Sequence, residues 1–276
     1  MSKLQKILVR SRRQVFSEMV GTNPSIFKGE GYDFVELREY TAGDDIRHID
    51  WNITAKMRKP YIKIFKEERE LNVVLVSILN GSVYFGSHKL KQETIAEIAA
   101  LLSFSVLKNG DLLSSYIFSD EMNFHSKPTK KIHIVQKIVG EILDFSPLNK
   151  KMDFGFIADM LYKRLNRRSI ILVVGDFFEL PNFKLLAKKH EVICIIVRDK
   201  LEENPPIMGF ASLVDPQSGA VLEGDFSSSS IEAYKKRVYE HDHKLFEILK
   251  KDGVRFTKIY TDSIASVELR RLFEGR

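Results

Sequence analysis

One cysteine and one tryptophan occur in 276 residues, and no long apolar run is present. Cys194 stands alone inside the run VICIIV, which excludes both a disulfide framework and a thiolate zinc site. A reducing, cytoplasmic setting is the expectation. No apolar stretch approaches the ~18 residues of a membrane span, and VVLVSIL at 73–79 reads as a buried strand by its length. Positive charges open the chain, but no apolar signal core follows them. Gly-x-Ser-x-Gly is missing, so there is no nucleophile elbow.

What is present describes an ordinary globular protein, with 44% hydrophobic and 29% charged residues. The length allows one large domain or two small ones. The net charge of +6 comes from 43 basic against 37 acidic residues, so the two signs nearly balance. The excess is partly local: residues 1–30 carry Lys3, Lys6, Arg10, Arg12, Arg13 and Lys28 against Glu18 and Glu30. Such an arm could touch phosphate or anionic lipid. A solvated helix face explains it more simply, so nucleic acid is not the expected partner.

An amphipathic helix is expected over 3–19, then short strands within 32–70, around FVELREY, HIDWNIT and YIKIFKEERE. From 73 the texture changes. Apolar strands at 73–79, 112–118, 169–174, 191–197 and 254–260 alternate with helices at 92–108, 130–146, 156–165, 182–188 and 230–251, before a terminal helix rich in Arg270 and Arg271. A hairpin turning at residues 215–219 interrupts this rhythm, and Ser229 and Glu232 form a capping-box pattern. Apolar strands separated by helices predict an α/β fold with a mostly parallel sheet covered on both faces. The boundary is placed between a helix and β-rich extension at 1–70 and an α/β domain at 71–276.

Residues 31–51, GYDFVELREYTAGDDIRHIDW, concentrate charge in an ordered way. Arg38, Glu39, Asp44, Asp45, Arg47 and Asp50 fall among apolar residues that end at Trp51, with a turn signal at Gly43-Asp44. An ion-paired surface on a small β unit is expected, available for binding. The wording Leu37-Arg38-Glu39-Tyr40, Gly43-Asp44-Asp45-Ile46-Arg47 and Ile49-Asp50-Trp51 resembles the signature of a bacterial family, domain-of-unknown-function family fifty-eight. Many of its members look membrane-anchored. The resemblance implies a von Willebrand factor A-like, Rossmann-type second half. It also implies partnership with a MoxR-type AAA+ ATPase in assembly or maturation of a client protein.

In an open parallel sheet, ligands meet the carboxyl ends of the strands where the strand order switches. Domains of the von Willebrand type carry there a metal-ion-dependent adhesion site, Asp-x-Ser-x-Ser plus a distant Thr and Asp. Carried onto this chain, Asn80 replaces the Asp, Ser82 keeps the first Ser, Tyr84 replaces the second, and Asp176 matches the later Asp. No Thr can be placed. A magnesium ion demands near-octahedral oxygen ligands, so this set implies a degenerate site without metal or cofactor. Gly81 to Gly86 has the context of a phosphate-binding loop but lacks the Lys directly after its last Gly. Phe177 and Phe178 are either exposed anchors for a partner or core residues of the turn after 169–174. A non-catalytic interaction module is the reading that results. The alternatives are a metal-dependent hydrolase and a nucleic-acid-binding module using the basic N-terminal arm.

Overall fold

The computed structural model describes residues 2–17, 33–41, 43–66 and 70–274. Parts of the expectations for the N-terminal helix, the strand after Tyr61 and the motif's Gly31, Tyr32 and Ala42 lie outside the described residues, as do Glu18, Lys28 and Glu30. The chain divides into two compact units, a small one within 27–71 and a large one made of the rest.

The large unit is a mixed α/β fold around a six-stranded sheet. In chain order its elements are α1 (Lys3–Ser17), then, after the small unit, β3 (Asn72–Ile78), α3 (Lys91–Lys108), β4 (Leu112–Phe118), β5 (Met122–His125), α4 (His133–Asp144), α5 (Phe154–Arg164), β6 (Ile170–Gly175), α6 (Lys184–Lys189) and β7 (Glu191–Arg198). There follow α7 (Lys200–Glu203), the hairpin β8 (Gly209–Val214) and β9 (Val221–Phe226), α8 (Ser228–Lys251), β10 (Arg255–Tyr260) and α9 (Ala265–Glu274). The sheet order is β10-β7-β6-β3-β4-β5. All pairings are parallel except that of the edge strand β5 with β4. This is the mostly parallel α/β layout expected from the alternating texture, consistent with the Rossmann-type fold that the resemblance implies.

Burial on both faces explains the apolar strands. Val74, Val76 and Ile78 of β3 join one core with Ile157 and Leu161 of α5, Leu186 of α6 and Leu245 and Leu249 of α8. The alternate residues Val73 and Leu75 are equally buried, and by strand alternation they face the other side, where α3 packs on the sheet. Helix α3 is buried along most of its length, because α1 and α4 cover its outer surface.

Helix α1 therefore belongs to the large unit, which corrects the boundary that grouped it with the β-rich extension. Its apolar stripe packs on α3, and Ser11 is fully buried. Lys3 pairs with Glu93 at 2.6 Å. At the other end, Lys108 Nζ donates to the Val15 carbonyl and lies 5.2 Å from the centroid of Phe16. The last carbonyls of a helix lack internal partners, so a lysine there satisfies one of them.

The small unit pairs β1 (Asp33–Glu39) with β2 (Tyr61–Lys66) in antiparallel register. Between them the segment expected as a strand around HIDWNIT is a 3-10 turn at Ile46–His48 followed by a helix, α2 (Trp51–Met57). Asp50 decides the outcome: its carboxylate accepts from the N–H groups of Asn52 and Ile53, a helix N-cap stronger than any local strand preference.

Candidate functional site

The chain leaves β3 for β4 on one side and returns to β6 on the other. The carboxyl ends of β3 and β6 therefore meet at the switch in strand order, where a parallel sheet gathers loops. Asn80, two residues past the end of β3, begins a 3-10 turn at Gly81–Tyr84 that carries Ser82. Ser82 Oγ donates to Asp176, the residue after β6. Lys91, the first residue of α3, places its Nζ 3.3 Å from the same Asp176 oxygen and 2.5 Å from Glu202 of α7. Both Lys91 and Asp176 are 0% exposed.

The charges tune one another. Burial alone would raise the Asp176 carboxyl; the charge of Lys91, the Ser82 hydroxyl and Arg198 outweigh it and hold the group below the usual range. Glu202 shifts upward, because its burial and the nearby Asp176 prevail over Lys91. Burial, followed by Asp176 and Asp153, also raises Glu179. Asp176 Oδ1 and both side-chain polar atoms of Asn80 are buried with no hydrogen-bond partner among the described residues. Tyr84 is 47% exposed and takes no part in this cluster.

A second layer continues along the strand ends. Arg198 closes β7, fully buried, with Nη2 donating to Asp242 of α8 at 3.0 Å and to the Phe177 carbonyl at 3.4 Å. Lys258 of β10 reaches Asp242 at 2.5 Å and Glu203 at 2.7 Å. Asp242 is pushed up by burial but brought down to about 2 by His241, Lys258 and Arg198. Asp242 is thus a buried member of this layer rather than a surface residue, while His243 is exposed. Asp199 binds the loops together, accepting from Ser87 N–H at 2.8 Å and Thr261 Oγ1 at 2.5 Å while capping α7.

Phe177 and Phe178 separate here. Phe177 is 0% exposed, has φ +54°, and stacks on Phe154 at 5.2 Å. It is a core residue, which removes it from the partner-contacting candidates. Phe178 is half-buried, with the Arg198 guanidinium carbon 3.5 Å and Lys91 Nζ 5.0 Å from its ring centroid. Its ring face supplies negative potential to both cations.

The loop glycines serve close packing. A Cβ on Gly81 would run into the Pro216 carbonyl oxygen, and one on Gly86 into the Lys89 carbonyl. Backbone approach therefore accounts for both glycines of the Gly81–Gly86 stretch. Pro216 belongs to the β8–β9 turn, whose carbonyl also accepts from Asn149 N–H at 3.0 Å. Behind that turn, Phe210 pairs with Asp225 and Val214 with Val221 on one face of the hairpin. Phe210 is 78% exposed, and Val214 and Val221 are nearly as open.

In the small unit, Arg38 grips Asp44 through two bonds of 2.8 and 2.7 Å, and Thr41 N–H adds a third at 2.9 Å. Asp45 caps the 3-10 turn and pairs with Arg47 at 2.6 Å, and Glu39 pairs with Lys59 at 2.9 Å. The expected ion pairing is present, and these members are half-exposed or exposed. Trp51 begins α2 and is 68% exposed, with Ile46 at 64%.

The family model described as a protein of unknown function, DUF58, matches residues 36–244 and so spans the motif and most of the sheet. This chain belongs to the DUF58 family. Uncharacterized proteins of Mycobacterium bovis and Mycobacterium tuberculosis are 25% identical to it over 265 residues, covering 93% of this chain and 83% of theirs. Among solved structures, the conserved hypothetical protein BatB of Bacteroides thetaiotaomicron covers 74% of this chain and 96% of its own, at 12% identity and a TM-score of 0.46. An aerotolerance-related membrane protein of Bacteroides fragilis covers 75% of this chain and 100% of its own, at 13% identity and a TM-score of 0.47. No helix among the described residues of the DUF58 chain is long and apolar enough to cross a membrane.

Sequence reasoning located Asn80, Ser82 and Asp176, and missed Lys91, Arg198, Asp199 and Glu202. Lys91 precedes an apolar helix, where a lysine ordinarily reads as solvated. For Arg198-Asp199 a signal existed: both follow a buried strand at its carboxyl end, the position that the switch-point argument marks for inspection. At the expected positions the Lys91 ammonium lies 3.3 Å from one Asp176 oxygen, where its positive charge opposes a divalent ion on the same carboxylate.

Proposed function

We propose that this DUF58 protein is a non-catalytic protein-interaction module, a partner of a MoxR-type AAA+ ATPase in assembly or maturation of a client protein. In this reading its strand-end site is a degenerate form of the von Willebrand adhesion site. The observation that carries the reading is that the charged groups of that site are engaged with one another and closed off from solvent. Ser82, Asp176, Lys91 and Glu202 engage one another, and Lys91 and Asp176 have no exposed surface with which to meet a substrate. Beside it, the β8–β9 hairpin offers Phe210, Val214 and Val221 to solvent, and exposed apolar groups rimmed by polar ones favour docking over chemistry. Trp51 and the motif charges offer a second contact surface of the same kind. A cytoplasmic setting belongs to this reading, supported by the single buried Cys194.

The test is the affinity of the full chain for a MoxR-type AAA+ ATPase from the same organism, with ATP present. Wild type is compared with Phe210→Asp, Trp51→Ala and Phe178→Ala, each checked for folding by circular dichroism. Binding should weaken by at least about tenfold in Phe210→Asp or Trp51→Ala, as for a central aromatic anchor. Absence of ATPase binding by the wild type would overturn the proposal.

A further inference from the structure

A buried carboxylate needs a cation close by, and at the strand-end site the chain supplies one of its own. We propose that the Lys91 ammonium is the resident cation of this site, held where an adhesion-type site would hold a divalent ion, and that the native protein works without metal there. This inference stands whether or not the chain docks on an ATPase.

Three features of the site carry it. Lys91 is fully buried yet lies against two carboxylates, Asp176 at 3.3 Å and Glu202 at 2.5 Å. Its ammonium is therefore enclosed by anions as a bound ion is, tied to α3 by a flexible four-carbon stem. Ser82, the hydroxyl that would otherwise be a metal ligand, donates instead to Asp176. Finally, the ligand atoms that remain are idle: Asp176 Oδ1 and Asn80 Oδ1 are buried without partners among the described residues. A divalent ion placed on the Asp176 carboxylate would sit within a few ångströms of the ammonium, which lies 3.3 Å from its other oxygen, and be repelled by it. The same atoms become a usable oxygen set once the ammonium is removed, joined by Ser82 and Glu202.

Manganese titration of the full chain, followed by electron paramagnetic resonance, tests the assignment. Wild type and the charge-keeping Lys91→Arg should bind no manganese at this site at millimolar concentration. Lys91→Ser, which vacates the place and adds a hydroxyl, should bind an ion at least about tenfold more tightly than wild type. Adding Asp176→Asn to Lys91→Ser should abolish the gain. If Lys91→Ser does not fold alone, its refolding with millimolar manganese decides the matter: recovery of the native circular dichroism supports the assignment, and no recovery overturns it. Asp176-dependent manganese binding by the wild type, or a folded Lys91→Ser that binds no better than wild type, would also overturn it.

Discussion

Gly81 and Pro216 approach so closely that the Pro216 carbonyl oxygen and the Gly81 α-carbon leave no room for a methyl group between them. The contact joins the turn after β3 to the β8–β9 hairpin, and it is backbone on the Pro216 side, which cannot swing away as a long side chain would. Gly81→Ala should therefore force the hairpin turn outward, at a cost of about 1–3 kcal/mol as for other overpacked sites. Amide hydrogen exchange at residues 215–219 should quicken while that of β6 and β7 stays slow. Unchanged exchange in the turn would show that the two segments are not held together.

The fork between Arg38 and Asp44 gives a pH-dependent test in the small unit. Hydrogen bonds from Arg38, then from the Thr41 N–H and hydroxyl, hold the Asp44 carboxyl well below the usual range. A depressed folded value means that the fork's contribution is fully present above the unfolded value of about 4. It fades as the pH falls from there toward the folded value. Asp44→Asn should speed amide exchange at Thr41 and along β1 at neutral pH, and the gap from wild type should narrow toward about pH 3. Both side chains are partly exposed, at 39% and 19%, so a small local effect is expected rather than loss of the fold.

The parts of this fold that were legible from sequence are those where one strong periodic signal acts alone. Val73 to Ile78, Ile170 to Val174 and Val192 to Val197 are apolar on both faces, and only a covered parallel strand uses such a run. The helix at 51–57 was missed because Ile49, Trp51 and Ile53 alternate like a strand while a single Asp50 carboxylate sets the helix start. The capping-box pattern at Ser229–Glu232 misled in a related way: α8 begins two residues earlier, after Ser227, with no side-chain cap. At the site, Asn80, Ser82 and Asp176 were legible because they lie next to strands in sequence. Lys91 and Glu202 were not: Lys91 meets Asp176 from 85 residues away only because β3 and β6 are neighbours in the sheet, and Glu202, on α7 after β7, reaches the site through Lys91.

Asp242 is the residue whose loss should damage the second layer most. It accepts from the fully buried Arg198 and from Lys258, so Asp242→Asn leaves one buried cation short of its counter-charge, at a cost of about 3–5 kcal/mol. Its folded value of about 2 lies below the unfolded value of about 4. The stability it contributes is therefore complete above about pH 4 and is lost as the pH falls toward 2. Urea melts of wild type and Asp242→Asn should converge over that window and stay apart at neutral pH. A constant difference across the window would assign the loss to packing instead of charge.

The neighbours Phe177 and Phe178 should respond differently to the same truncation. Phe177 is enclosed by Phe154 on one face, and Phe154 in turn meets Phe183 edge-on at 5.6 Å, so Phe177→Ala removes a ring from a closed aromatic stack. The loss expected for a buried phenylalanine is about 3–5 kcal/mol. Phe178 is half-buried, and what it contributes is largely its ring face toward Arg198 and Lys91, an interaction of about 0.5–2 kcal/mol. Phe178→Leu keeps most of the apolar volume and removes that face, so it should lose nearly as much as Phe178→Ala if the cations are what the ring serves. Full rescue by leucine would make Phe178 a packing residue, and equal losses in Phe177→Ala and Phe178→Ala would contradict the burial difference between them.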